Sequence, residues 1–197
     1  VPDYIDSAAV IFDHVWDVEI GQLGFRPPLG TDGLPLEQYD IYFTELPSTL
    51  YGQTWLESPI ESVPDTWTSY IEINTSLDSP ALYTQGLDGL RVTAAHEFNH
   101  AIQLGYRVWE DPYGGINDLF FMEMTSTWLE EYVYDDINDY LQYLPALFRQ
   151  IASTAFTNSY GNFPYGNSLY LHMTELLFGP DLVVDVWDQI LREPAFD

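Results

Sequence analysis

Apolar positions along the chain follow two different spacings, and the change from one to the other divides it. From Tyr4 to Ile20, the residues Ile5, Ala8, Ala9, Phe12, Val15 and Trp16 recur at helical intervals with acids between them, which predicts an amphipathic opening helix. Gly21, Gly24, Pro27 and Pro28 end it, and LGTDGLP has turn chemistry. YDIYFTEL, from Tyr39 to Leu46, alternates and predicts a strand. YIEINTSL, from Tyr70 to Leu77, is rich in branched and aromatic residues and predicts a second. The intervening LYGQTWLESPIESVPDTW reads as a short strand plus loops.

From about Gly89 the spacing becomes helical: LRVTAAHEFNHAIQLGY, then NDLFFMEMTSTWLEEYVYD, then segments around 140–155, 165–178 and 181–192. EDPYGG breaks the first from the second, and there is no internal repeat or low-complexity tract. This order predicts an α+β protein of one domain over 1–197. A small mixed α/β lobe spans 1–88, and a mainly helical part spans 89–197.

The first of these helices carries chemistry. In AAHEFNHAIQ, His96 and His100 are four residues apart, about 400° of rotation and about 6 Å of rise, so both imidazoles leave one face and can grip one metal ion. Glu97 lies about 100° round from His96, where it can reach a water on that ion without binding the ion itself. Val92, Ala94, Ala95, Phe98, Ala101, Ile102 and Leu104 predict that the helix is buried, its alanines permitting close packing. A catalytic zinc takes three protein ligands and leaves a fourth position to water. A histidine six residues beyond His100 is excluded, because Gln103 and Tyr106 stand where that pattern requires Gly and His. A carboxylate must serve instead. Glu123 and Glu130 of the next helix are seven apart and share a face, so periodicity alone leaves both open.

Composition narrows the partners. The 197 residues are 46% hydrophobic, enough for a well-buried core, and carry 31 acids against five basic residues, all arginine, for a net charge of -26. Such a surface repels phosphate backbones and anionic lipid, which argues against nucleic acid and membrane-surface partners. No stretch is apolar enough for membrane insertion. A chain without cysteine says nothing of redox compartment. The start at Val1, with no signal-like run, suggests a piece of a longer exported precursor, so a secreted, extracellular protein is expected. Loops such as DDINDY make structural calcium a further candidate, although the spacing fits no EF-hand.

His96, Glu97 and His100, followed by a second helix bearing a glutamate, resemble the gluzincins, a clan of zinc metallopeptidases. The resemblance implies a zincin-like fold and assigns the third zinc ligand to Glu123. The run E-x-x-x-T-W-x-E, from Glu123 to Glu130, is similar to the E-G-x-A-x-W-x-E run of secreted gluzincins and implies the same ligand. NSYGNFPYGNSLYLHMTELLFG resembles the aminopeptidase-type segment in which a Pro-Tyr pair opens a helix; it implies that Tyr165, after Pro164, donates to the oxyanion. His172, seven residues on, reads as a core histidine or a second such donor, and His14 as structural. YDIYFTEL, LYGQTW and INDYLQYL resemble the front half of a group of secreted bacterial metalloproteases. The G-x-M-E-N signature that anchors a substrate's free amino terminus is absent, which favours an endopeptidase acting on peptide or protein. Zincin sheets suggest that the strand at 70–77 offers its edge to the substrate. Glu130 and Asp118 are available to hydrogen-bond the imidazoles. The rival expectation is a noncatalytic extracellular module binding carbohydrate or protein through its aromatic residues.

Overall fold

Ala8, Ile11, Phe12 and Val15 form the buried face of α1 (Pro2–Trp16) in the computed structural model, which describes residues 2–110, 112 and 114–195. The predicted opening helix is present, but its last part is not α-helical. Over Asp17–Gln22 the chain widens into π-helical turns that bury both Val18 and Glu19. Such wide turns are rare and recur at functional sites.

Three strands follow: β1 (Ile41–Thr44), β2 (Gly52–Pro59) and β3 (Trp67–Asn74). The order is β1-β3-β2, with β1 parallel and β2 antiparallel to β3. The strand expected at 70–77 is therefore the centre of the sheet, bonded on both sides, and cannot offer an edge. The outer strands are β1 and β2, the latter an eight-residue strand where the sequence predicted only a short one. Ile71 and Ile73 of β3 are fully buried against α2 (Gly86–Leu104). Gly52 lets β2 approach that helix: a Cβ there would meet Glu72 O and Thr93 Cγ2, each at 2.9 Å.

α2 lies among α1, the sheet and α3 (Leu119–Val133), and is buried nearly all round, as its alanines predicted. Of the EDPYGG break before α3, residues 111 and 113 lie outside the described residues. The remaining helical segments are more broken than the sequence suggests. A 3₁₀ turn (Asp139–Gln142) precedes α4 (Leu144–Gln150), and 165–178 divides at Asn167 into α5 (Phe163–Gly166) and α6 (Ser168–Phe178). α7 (Asp181–Ile190) closes the chain, burying Val183, Trp187 and Ile190. The whole is an α+β arrangement of helices around a small three-stranded mixed sheet. No described helix is long and apolar enough to cross a membrane.

Candidate metal centre

The helical offset of four residues brings the Nε2 atoms of His96 and His100 to 3.1 Å from each other. Glu123 Oε2, arriving from α3, stands 3.2 Å from His96 Nε2 and 3.4 Å from His100 Nε2. A tetrahedral zinc with bonds of about 2.0–2.1 Å separates its ligand atoms by about 3.3 Å. The three sides of this triangle therefore match one face of such a tetrahedron, and among the described residues it is the group of His, Asp and Glu side chains able to hold a metal ion. Asp135, Asp136 and Asp139 of the DDINDY loop form no comparable group.

Each imidazole is held at its other nitrogen. Glu130 Oε1 lies 2.7 Å from His96 Nδ1, so Glu123 and Glu130 of α3 both face His96, one at each ring nitrogen. Gln103 Oε1, one turn beyond His100, lies 2.8 Å from its Nδ1. Burial works against protonation of both rings. Glu123 and Glu130 outweigh it at His96, and Glu123 outweighs it at His100, so both pKa values are raised. Burial likewise opposes ionisation of Glu123, yet His100 and His96 hold its carboxyl below the usual carboxylate range. At Glu130 burial prevails and pushes the carboxyl up to about 7. The same negative charge that draws protons onto the rings would favour a dication in the triangle once the protons leave.

Glu97 is directed toward β2, where the Thr54 hydroxyl lies 2.7 Å from its Oε2. Tyr165 stacks on His96 with ring centroids 5.8 Å apart and planes 14° off parallel. Burial first, then the charge of Glu123 and a hydrogen bond to it, push its phenol well up, so it remains a donor throughout the ordinary pH range. These groups line a cleft of about 340 Å³ whose wall includes His96, Glu97, Glu130, Asp139, Tyr143 and Tyr165.

Other assignments are corrected. Asp118 does not reach the histidines; it accepts from the Ala195 amide at 3.1 Å, at the start of α3. A turn at Asn167 puts Tyr165 on α5 and His172 on α6. The His172 ring packs on Tyr140 at 4.8 Å, away from the cleft lining. Gly166 lets α5 rest on α4: a Cβ there would meet Leu147 Cβ at 2.8 Å. His14 is exposed, its ring 5.5 Å from Tyr134. Thr54, Gln103 and Asp139 escaped the sequence reading. Only Gln103 left a signal there, being three residues beyond His100 and hence on its face.

No family model, curated protein or solved structure matches the chain.

Proposed function

We propose that this chain is a zinc-dependent metallopeptidase of the gluzincin type, with a zincin-like arrangement, acting outside the cell as an endopeptidase on peptide or protein. The observation that carries this reading is the His96–His100–Glu123 triangle, with sides of 3.1, 3.2 and 3.4 Å, beside a carboxylate that is not one of its corners. A zinc ion held by these three residues would supply a Lewis acid for the scissile carbonyl and lower the pKa of the attacking water.

Glu97 takes the proton of that water and delivers it to the leaving amine. The Thr54 hydroxyl, 2.7 Å away, holds the carboxylate in place for this transfer. Tyr165 turns its phenol to the oxyanion that develops on the substrate carbonyl. Glu130 fixes the His96 ring through Nδ1. The free edge of β2 gives an extended peptide a row of backbone partners, and its first residue, Gly52, lines the cleft.

Metal analysis of the purified protein should find one zinc per chain, and Glu97→Gln should lower peptide hydrolysis by about 10²- to 10⁴-fold while keeping the zinc. Purified protein with neither zinc affinity nor peptidase activity would sink the reading. The noncatalytic binding module then becomes the better account. Its support is the outer face of the sheet, where Trp55 pairs with Tyr70 across β2 and β3, and Tyr42, 53% exposed, meets Tyr70 edge-on at 5.5 Å.

A further inference from the structure

Glu19 is fully buried on the π-helical turns, and the chemistry above makes no use of it. Its Oε2 accepts from Asn99 Nδ2 at 3.3 Å, while Oε1 has no partner. Burial pushes this carboxyl well up, offset in part by the Asn99 bond and by His96 nearby. A buried acid is costly to stability, so what it touches is informative.

From Asn99 a chain of hydrogen bonds leads to the metal centre. Asn99 Oδ1 accepts from Gln103 Nε2 and, at 3.1 Å, from Ser126 Oγ. Gln103 Nε2 also donates to the Met122 carbonyl at 3.0 Å, and Gln103 Oε1 faces His100 Nδ1. Asn99 and Ser126 are fully buried and Gln103 is 1% exposed, so these side chains bond to one another away from bulk solvent.

The polarity of this chain is determined from its far end. An amide presents a donor on one side and an acceptor on the other. Glu19 presents an acceptor oxygen to Asn99 in either protonation state, which claims the Asn99 NH2 and turns its Oδ1 toward Gln103. That Oδ1 and the Met122 carbonyl, both acceptors, claim the Gln103 NH2. Gln103 Oε1 is then left for His100 Nδ1, which also faces Ser126 Oγ at 3.3 Å; Ser126 gives its own hydrogen to Asn99, so both oxygens accept and Nδ1 must carry the hydrogen. We infer that Glu19 is a positioning residue that, through Asn99 and Gln103, holds His100 as the Nδ1–H tautomer with Nε2 free for a cation. His96 is held directly by Glu130, whereas His100 is held by this relay across the π-helical turns, α2 and α3. The proposal rests on the metallopeptidase reading only for its consequence in zinc binding, since the relay sets the tautomer with or without an ion.

The test uses the full chain with ¹⁵N-labelled histidine, metal-free and at a pH where the ring is neutral, so that long-range ¹⁵N–¹H correlations report which nitrogen of His100 is protonated. Zinc affinity is measured separately by competition with a chelator. The wild type should show Nδ1–H. Glu19→Gln, whose amide can still turn an oxygen to Asn99, should keep both the tautomer and the affinity. Glu19→Leu should populate Nε2–H and weaken zinc binding about 10- to 100-fold. The proposal is overturned if Glu19→Leu keeps the wild-type tautomer and affinity while losing only stability, or if Glu19→Gln loses as much as Glu19→Leu. If Glu19→Leu does not fold, Gln103→Met cuts the same relay beside the ring; it should shift both readouts in the same direction, and unchanged readouts overturn the proposal. Should wild type bind no zinc, the metallopeptidase reading fails alone and the tautomer measurement still decides.

Discussion

Helices α2 and α6 both carry histidine on largely apolar sequence, yet their histidines are in opposite states. On α2, carboxylates at His96 and His100 overcome burial and raise both pKa values. On α6, His172 has no such neighbour; its Nε2 is buried without a partner, and burial lowers its pKa to about 4. The two helices also differ in covering. α2 is enclosed by α1, the sheet and α3, whereas α6 leaves Leu176, Leu177 and Phe178 largely exposed. A histidine in an apolar setting is pushed toward neutrality, and only acids placed on purpose reverse that. The α2 pair, with Glu123, could therefore hold a cation, whereas His172 packs on Tyr140.

The comparison breaks most directly at Glu123. Glu123→Ala should abolish stoichiometric zinc binding in equilibrium dialysis while circular dichroism stays that of the folded protein; retained tight binding would mean that the two histidines of α2 differ from His172 for some other reason. Next in size is Trp128→Ala. Trp128 is fully buried on α3 and donates to Glu175 of α6 at 2.8 Å, tying the two regions together. Its truncation should cost about 3–5 kcal/mol in urea unfolding. Glu130→Gln, which weakens the support of His96, should lower zinc affinity about 10- to 100-fold in chelator competition.

Smaller effects sharpen the contrast through pH. His172 has a folded pKa of about 4, below its ordinary 6.5, so the unfolded chain takes up this proton first. Its contribution to stability is complete above 6.5 and is lost as pH falls toward 4. Glu130 has the opposite sign: its folded pKa of about 7 is above the ordinary 4.5, so its contribution is present below 4.5 and is lost as pH rises through 7. In metal-free protein, His172→Leu should flatten the first slope and Glu130→Gln the second, as read from urea midpoints across that range. Smallest of all, Leu176→Gln, at a position 85% exposed, should change stability by no more than about 0.5 kcal/mol. A loss of several times that would show that the outer face of α6 is covered in solution.

How much of this was legible depends on the distance over which each feature is decided. The faces of α1 and α2, the shared face of Glu123 and Glu130, and the projection of His96 and His100 from one side all follow from spacing within a single helix. The placing of β3 at the centre of the sheet did not, because strand order depends on partners 8 to 30 residues away, and YIEINTSL would read alike at an edge or in the middle. Asp118 and Glu130 looked equally able to support an imidazole. Which one does so was decided by where α3 lies across α2, since the His96 ring fits between Glu123 and Glu130 while Asp118 is turned to Ala195. Tyr165 and His172 fall on separate helices, parted by a turn at Asn167 that their spacing of seven did not reveal.

By itself, the sequence determined that two imidazoles and a carboxylate of α2 stand together, because helical geometry places residues three and four apart side by side wherever the helix is found. Only tertiary structure decided which acid completes the triangle, which hydroxyl steadies Glu97, and that Glu19 ends a chain of bonds leading to His100. Those contacts join residues from 27 to 80 positions apart. At such separations the packing of whole elements against one another, and not any local preference, determines which side chains meet.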